Sequence, residues 1–199
     1  MGTRRTPQNP LKRRLRAGGV YRREDFKDDS TAVDRHLQQL VKAGELVKLA
    51  GGIYHHPRKT TFGAAPADPQ VLLKVYLKDD RFLVTSLNAY NSLGVGTTQL
   101  YNETIVYNHK RHEVVKLGGR SFRFVRKAHF PKTPTPEFLL VDLVNNVTRL
   151  AEDRVALLAK VREKAHTLDR SALQRAVRRF GGAHARKFFA ELAMAADAG

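Results

Sequence analysis

Residues 30–55 read STAVDRHLQQLVKAGELVKLAGGIYH, and the parsing of this stretch decides the fold. Its first half predicts one helix over 30–43. Ser30 is placed to cap that helix, its hydroxyl accepting from N–H groups of the first turn. Val33, Leu37, Leu40 and Val41 recur at helical spacing and mark one apolar face. Gly44 stops the helix, because glycine enters the left-handed region without strain. The second half predicts a β-hairpin. β-prone runs at 46–49 and 53–55 are joined by Ala50-Gly51-Gly52, a three-residue loop with glycine available for positive φ.

The segment before it completes a pattern. Residues 1–9 are polar and basic, and Arg4, Arg5, Lys12, Arg13, Arg14 and Arg16 can form an arm that follows a phosphate backbone or, alternatively, a solubilising tail. Pro10 suits a first helical turn, with Leu11 and Leu15 as an i, i+4 apolar pair and Gly18-Gly19 as the stop. Residues 20–21 are extended, 22–26 form a brief second helix with Phe26 as a core anchor, and Asp28-Asp29-Ser30 turns into the third. Helix, extended segment, short helix, turn, helix and hairpin is the order of a winged helix-turn-helix, with the hairpin as its wing.

The polar face of the third helix carries Thr31, Asp34, Arg35, Gln38, Gln39 and Lys42. Arginine pairs bidentately with guanine and glutamine with adenine, so Thr31, Arg35 and Gln38 are candidates for base edges. Ser30 and Lys42 are candidates for phosphate. Around the wing, Lys48, Gly51, Tyr54, His55 and Arg58 are candidates for phosphate or minor-groove contacts, joined by Arg13, Arg14 and Arg22 from the preceding segment. The plainer reading of the same face is an ordinary solvated helix. His55 and His56 are adjacent on a strand and point to opposite faces, so they do not share a metal ion.

Composition sets the class of partner. The 199 residues contain 36 Lys and Arg against 19 Asp and Glu, a net charge of +17 and a pI near 10.5. That excess favours polyanions. Residues 1–59 hold 14 basic and 6 acidic side chains, residues 60–135 hold 11 and 5, and residues 136–199 hold 11 and 8, so the charge is densest where the winged pattern lies. The absence of cysteine excludes disulfides, thiolate metal sites and cysteine nucleophiles. The basic N-terminus has no apolar core, and no apolar run approaches the ~20 residues that span a bilayer. A soluble cytoplasmic protein with no membrane association is expected.

Beyond the wing, residues 56–69 hold three prolines and read as a linker. A helix follows, opened by Asp68-Pro69, with Val71, Leu72, Val75 and Tyr76 as its apolar face. Then come a strand over 81–85, a helix over 86–93 closed by Gly94, a strand over 103–107, and a hairpin of 112–117 and 121–126 turned at Gly118-Gly119. Three prolines within 128–136 make a second corner. Four helices over 138–150, 153–166, 169–180 and 183–196 predict a bundle, with Val155, Leu158 and Val161 as the core of the second. Arg170, Arg175, Arg178, Arg179, Arg186 and Lys187 decorate its last pair. The expected class is α+β: a winged helix-turn-helix domain over 1–59 and a second domain over 66–199, made of a small α+β module (66–127) and a helical bundle (136–199).

Three pieces resemble the AbiEi-type antitoxins of bacterial type IV toxin–antitoxin systems. They are the winged segment AVDRHLQQLVKAGELVKLAGGIYHHP, the segment TSLNAYNSLGVGTTQ with Ser86, Ala89, Leu93 and Gly94 in the family's Ser-x-x-Ala-x-x-x-Leu-Gly pattern, and the strand pair IVYNHKRHEVVKLGGRSFRFVRK. The likeness covers residues 18–127, and the helical end only by layout. Relatives often carry arginine where this chain has Gly51, so a wing contact is either lost or shifted to Lys48. The resemblance implies repression of the protein's own operon through double-stranded promoter DNA with inverted repeats. It also implies neutralisation of a cognate nucleotidyltransferase-like toxin, mainly through the C-terminal part and without a lasting complex.

An enzyme is the less supported reading. Glu113-Val114-Val115-Lys116 has one residue too many for the Glu-x-Lys strand motif of metal-dependent nucleases, so its acid and base point to opposite faces. Asp79-Asp80 reads as a helix-end turn, and His109 and His112 have only Glu103 and Glu113 for partners. There is no Walker loop, dinucleotide-binding glycine pattern or nucleophile elbow. No catalytic residue, cofactor or metal is expected. The alternative is a basic nucleic-acid-binding protein or a nuclease acting on DNA or RNA.

Overall fold

The computed structural model describes residues 9–197. The chain is an α+β protein that divides into two compact units. The first runs through Asp80 and includes Val115–Ser121; the second comprises Arg81–Val114 and the chain from Phe122 onward. The division thus falls at Asp80, beyond the boundary expected between 59 and 66.

In the first unit, Pro10–Arg14 is a single 3-10 turn rather than a longer helix. Asn9 holds it in place: its side-chain oxygen accepts from the Leu11 N–H, and its amide donates to the His36 carbonyl. Strand β1 (Val20–Arg22) leads into a second 3-10 turn, Arg23–Phe26. Helix α1 is Val33–Lys42 and starts later than Ser30. The Ser30 hydroxyl accepts from the Ala32 N–H at 2.9 Å and bonds His36 Nδ1 at 2.9 Å. It closes a turn ahead of the helix, and that turn takes up Thr31 and Ala32 instead of starting the first helical turn. Val33, Leu37 and Leu40 are buried with Leu11, Phe26 and Leu46, as the 3.6-residue spacing requires. Gly44 takes φ +69° and ends α1.

Strands β2 (Val47–Ala50) and β3 (Ile53–His55) form the hairpin. Ala50 pairs with Ile53, so the loop is the two-residue Gly51-Gly52 with a bulge between Lys48 and Ala50, not a three-residue loop. The sheet order is β1-β3-β2, with both pairings antiparallel. The 56–69 segment contains a minimal ladder, β4 (Lys59–Thr60) with β5 (Gly63–Ala64). Helix α2 (Pro69–Leu77) is capped by Asp68, whose carboxylate accepts from the Gln70 and Val71 N–H groups. Its buried residues are Leu72, Leu73 and Leu77, while Val71 is exposed. The apolar stripe therefore lies one residue along from the expected one. Arg22 explains why α2 belongs to the first unit: its Nε and Nη2 donate to the carbonyls of Val75 and Tyr76, each at 2.7 Å. These are last-turn carbonyls, and a cation there also opposes the negative end of the helix dipole.

In the second unit, β6 (Phe82–Thr85) is followed by a 3-10 helix, Leu87–Leu93, closed by Gly94. Strand β7 (Thr104–Asn108) and the hairpin β8 (Glu113–Leu117) and β9 (Arg120–Arg126) complete a sheet of order β6-β7-β9-β8, of which the hairpin residues Val115–Ser121 are those counted with the first unit. β6 is antiparallel to β7, and β7 is parallel to β9. Helix α3 (Pro136–Asn146) is buried at every position from Phe138 to Val144. Around it pack α4 (Arg154–His166), α5 (Arg170–Phe180) and α6 (Ala183–Asp197). In α4 the buried stripe is Leu157, Val161 and Ala165, and Val155, expected in the core, is exposed. No helix among the described residues is long and apolar enough to cross a membrane.

Candidate nucleic-acid interface

Helix α1 turns Asp34, Arg35, Gln38, Gln39 and Lys42 away from its core stripe, and these five are exposed, as is Thr31, which lies in the turn before the helix and not on it. The dense burial of Val33, Leu37 and Leu40 fixes the rotation of the helix and hence which side chains face outward. Asp34 is engaged. Arg23 donates to both oxygens of Asp34, Nε to Oδ1 at 2.6 Å and Nη2 to Oδ2 at 2.7 Å. This bidentate pair holds the Asp34 carboxyl below the usual carboxylate range. It neutralises the one acidic group on the face, which would otherwise repel phosphate. Arg23 also donates its backbone N–H to the Gly52 carbonyl at 2.8 Å. A single residue thereby ties the start of α1 to the hairpin turn. No local pattern in the sequence marks it, because its two partners lie eleven and twenty-nine positions further on.

The remaining candidates divide sharply. Arg35, Gln38, Lys42, Lys48 and Gly51 are exposed on α1 and the hairpin, Thr31 is exposed in the turn ahead of α1, and Arg13 is exposed on the first turn. Arg58 is exposed with its Nε 3.4 Å from the Ala17 carbonyl. Arg14 is exposed but paired with Asp29, which raises its guanidinium pKa further. Ser30 spends its hydroxyl on Ala32 and His36. Arg22 serves the carbonyl end of α2 and pairs with Glu24. Tyr54 belongs to the core cluster of the first unit, and burial pushes its phenol pKa up. His55 is 2% exposed, and burial lowers its imidazole pKa. Ser30, Arg22, Tyr54 and His55 are thus withdrawn from the surface set. Arg4 and Arg5 lie outside the described residues.

Of the carboxylates weighed as nuclease ligands, Glu103, Glu113 and Asp80 each lie beside a cation. Glu103 accepts from Arg123 at 2.5 Å and from Arg149. Glu113 pairs with Arg111 at 2.8 Å, and Asp80 lies 3.9 Å from Lys74. The His109 ring stacks on Phe130, with its Nδ1 3.0 Å from the Lys127 carbonyl.

A second polar constellation, unread in the sequence, lies inside the second unit. Asp142 on α3 is 1% exposed. Its Oδ2 accepts from the Tyr90 hydroxyl at 2.8 Å and the Tyr107 hydroxyl at 2.7 Å, and its Oδ1 accepts from Lys127 Nζ at 2.6 Å. Asn146 donates to both tyrosine oxygens, and Lys127 sits 3.7 Å from the Tyr107 ring centroid. Burial drives both phenol pKa values upward, with the Asp142 charge second. The hydroxyls stay protonated and donate. Both Asp142 oxygens are satisfied internally, so the group is a fastener between sheet and helix and presents no free chemistry.

A family model described as a family of unknown function, DUF6088, matches residues 9–167. No curated protein matches the chain. Among solved structures, the RV2827C protein from Mycobacterium tuberculosis is similar in fold, with a TM-score of 0.55 at 17% identity, covering 92% of this chain and 73% of that one.

Proposed function

The chain belongs to the DUF6088 family, and we propose that it is a non-enzymatic, winged helix-turn-helix repressor that binds double-stranded DNA upstream of its own gene and acts as a type IV antitoxin. The observation that carries the DNA reading is the outward face of α1. It offers Arg35, Gln38 and Lys42, with Thr31 in the turn just ahead of it, and its one carboxylate is neutralised by the same arginine that ties down the hairpin turn. The sheet order β1-β3-β2, with α1 between β1 and β2 in the chain, supports the winged arrangement. On this reading α1 lies in the major groove. Arg35 and Gln38 face base edges, and Lys42, Lys48 and Arg58 neutralise phosphates. The antitoxin role rests on the resemblance to AbiEi-type proteins and belongs to the α+β module and helical bundle. There it counters a nucleotidyltransferase-like toxin without a lasting complex. A cytoplasmic location follows from both partners.

Arg35→Ala tests the base-reading assignment. Loss of one bidentate contact is expected to weaken operator binding by about 1–3 kcal/mol and to leave binding to a scrambled duplex nearly unchanged. An equal loss on both duplexes, measured by fluorescence anisotropy, would make Arg35 a phosphate contact only.

A further inference from the structure

The first unit carries a second, smaller hairpin. β4 and β5 pair Lys59 with Ala64 and Thr60 with Gly63, which leaves Thr61-Phe62 as the turn. The Ala65 N–H closes the stem, donating to the Arg58 carbonyl at 2.8 Å. Thr60 closes the tip: its hydroxyl donates to the Gly63 carbonyl at 2.8 Å and accepts from the Phe62 N–H at 3.3 Å. Every residue from Arg58 to Ala64 is exposed. Phe62 is 101% exposed, its ring wholly in solvent. The chain has ten Phe, six Tyr and no Trp, and Phe62 is the only one of these aromatics that is exposed. A turn tip is ordinarily given to Gly, Asn, Asp, Pro or Ser, and an aromatic ring ordinarily gains from burial. The hairpin is rooted beside the C-terminal end of α1. His56 Nδ1 lies 2.8 Å from the carbonyl of Glu45, just past that helix. The His56 backbone donates to the Gly19 carbonyl and accepts from the Gly18 N–H. From this root the four residues between Arg58 and Phe62 reach about 13 Å. From Leu46 to Ala67 the chain holds Lys48, Arg58 and Lys59 and no carboxylate.

We propose that Phe62 is a wedge that inserts between two base pairs of duplex DNA, at a step beside the stretch read by α1, and kinks the duplex there. The inference rests on the DNA reading above and adds a base-stacking contact to it. Apolar side chains that part a base step enter from the minor groove and are repaid by the extra protein surface that the bent duplex meets. An aromatic ring stacks on any base, so the contact asks for an easily parted step rather than a particular pair. The surroundings of Phe62 favour DNA over a protein partner. Its neighbours at the tip are Thr60, Thr61, Gly63 and Ala64, with Arg58 and Lys59 in the stem, so no apolar patch surrounds the ring for a protein to cover. The two cations suit the phosphates that flank a parted step.

The full chain is titrated against duplex from upstream of its own gene, with single adenines replaced in turn by fluorescent 2-aminopurine and a donor–acceptor dye pair on the two ends. With the wild type, 2-aminopurine at one step is expected to brighten several-fold as it unstacks. The ends are expected to draw together by the amount that a kink of about 20–90° gives. Phe62→Ala is expected to abolish both signals and to weaken binding by about tenfold, while keeping the preference for native over scrambled duplex. It is expected to melt like the wild type, because the ring it removes is fully exposed. Phe62→Leu keeps an apolar wedge and is expected to retain the kink and most of the affinity. Sequence-specific binding by the wild type without any brightening, or an unchanged kink and affinity in Phe62→Ala, would overturn the wedge and leave the DNA reading standing. A lowered melting temperature in Phe62→Ala would assign the ring to the fold and overturn the wedge too. Equal binding of the wild type to native and scrambled duplexes would overturn the DNA reading itself, and the wedge with it.

Discussion

Asp142→Asn is expected to destabilise the protein by about 3–5 kcal/mol, the range seen when one member of a buried ion pair is removed. The carboxylate is the common acceptor of three donors, two phenols and one ammonium. An amide supplies one oxygen where two are used. Its NH₂ group must face either Lys127 Nζ or the paired hydroxyls, and both are donors already. Lys127 then loses its counterion with only 22% of its side chain exposed. Thermal or urea unfolding measures the loss. Tyr107→Phe removes one donor and leaves the other two, so its expected cost is smaller, about 1–2 kcal/mol. A double replacement, Asp142→Leu with Lys127→Met, is expected to cost less than the two single changes added together, because it takes out both charges at once. Strict additivity would mean that the pair is not coupled.

Simultaneous replacement of Arg35, Lys42 and Lys48 by alanine is expected to lower DNA affinity by about 10²–10³-fold near 0.1 M salt. Each phosphate contact contributes about 0.9 to the dependence of log affinity on log salt, so loss of the two phosphate-directed lysines, Lys42 and Lys48, also flattens that slope by about 2. All three side chains are exposed on α1 or the hairpin and lie outside the core, so folding stability is expected to hold within about 0.5 kcal/mol. That separates a binding defect from an unfolding defect. A triple variant that melts like wild type and keeps its affinity and salt slope would remove α1 and the hairpin from the interface.

The legible parts of the fold are those decided within a few residues. The 3.6-residue recurrence of Val33, Leu37 and Leu40 and the glycine after the helix need no distant partner, and they place α1 and its outward face correctly. Strand β3 misleads for a physical reason. Tyr54 on one face and His55 on the other are both buried, so packing covers both faces of β3 and the alternation that puts one of them outside does not apply. Arg22 looks like any basic residue near a DNA-reading helix, and its use depends on a helix end more than fifty positions later. The Asp142 cluster draws on positions 90, 107, 127, 142 and 146, and within 138–150 the aspartate reads only as an interruption of an apolar run. Ser30 has the right chemistry for a cap, but its hydroxyl is committed to a turn two residues early.

The DNA-reading account is tested most directly by titrating the protein against DNA from upstream of its own gene and against a scrambled duplex, across a salt series. The account predicts a complex at least about 10³-fold tighter on the native sequence, with affinity falling by about 10³–10⁵ between 50 and 200 mM salt as 6–10 phosphate contacts are screened. Equal affinity for the two duplexes at every salt concentration would contradict it.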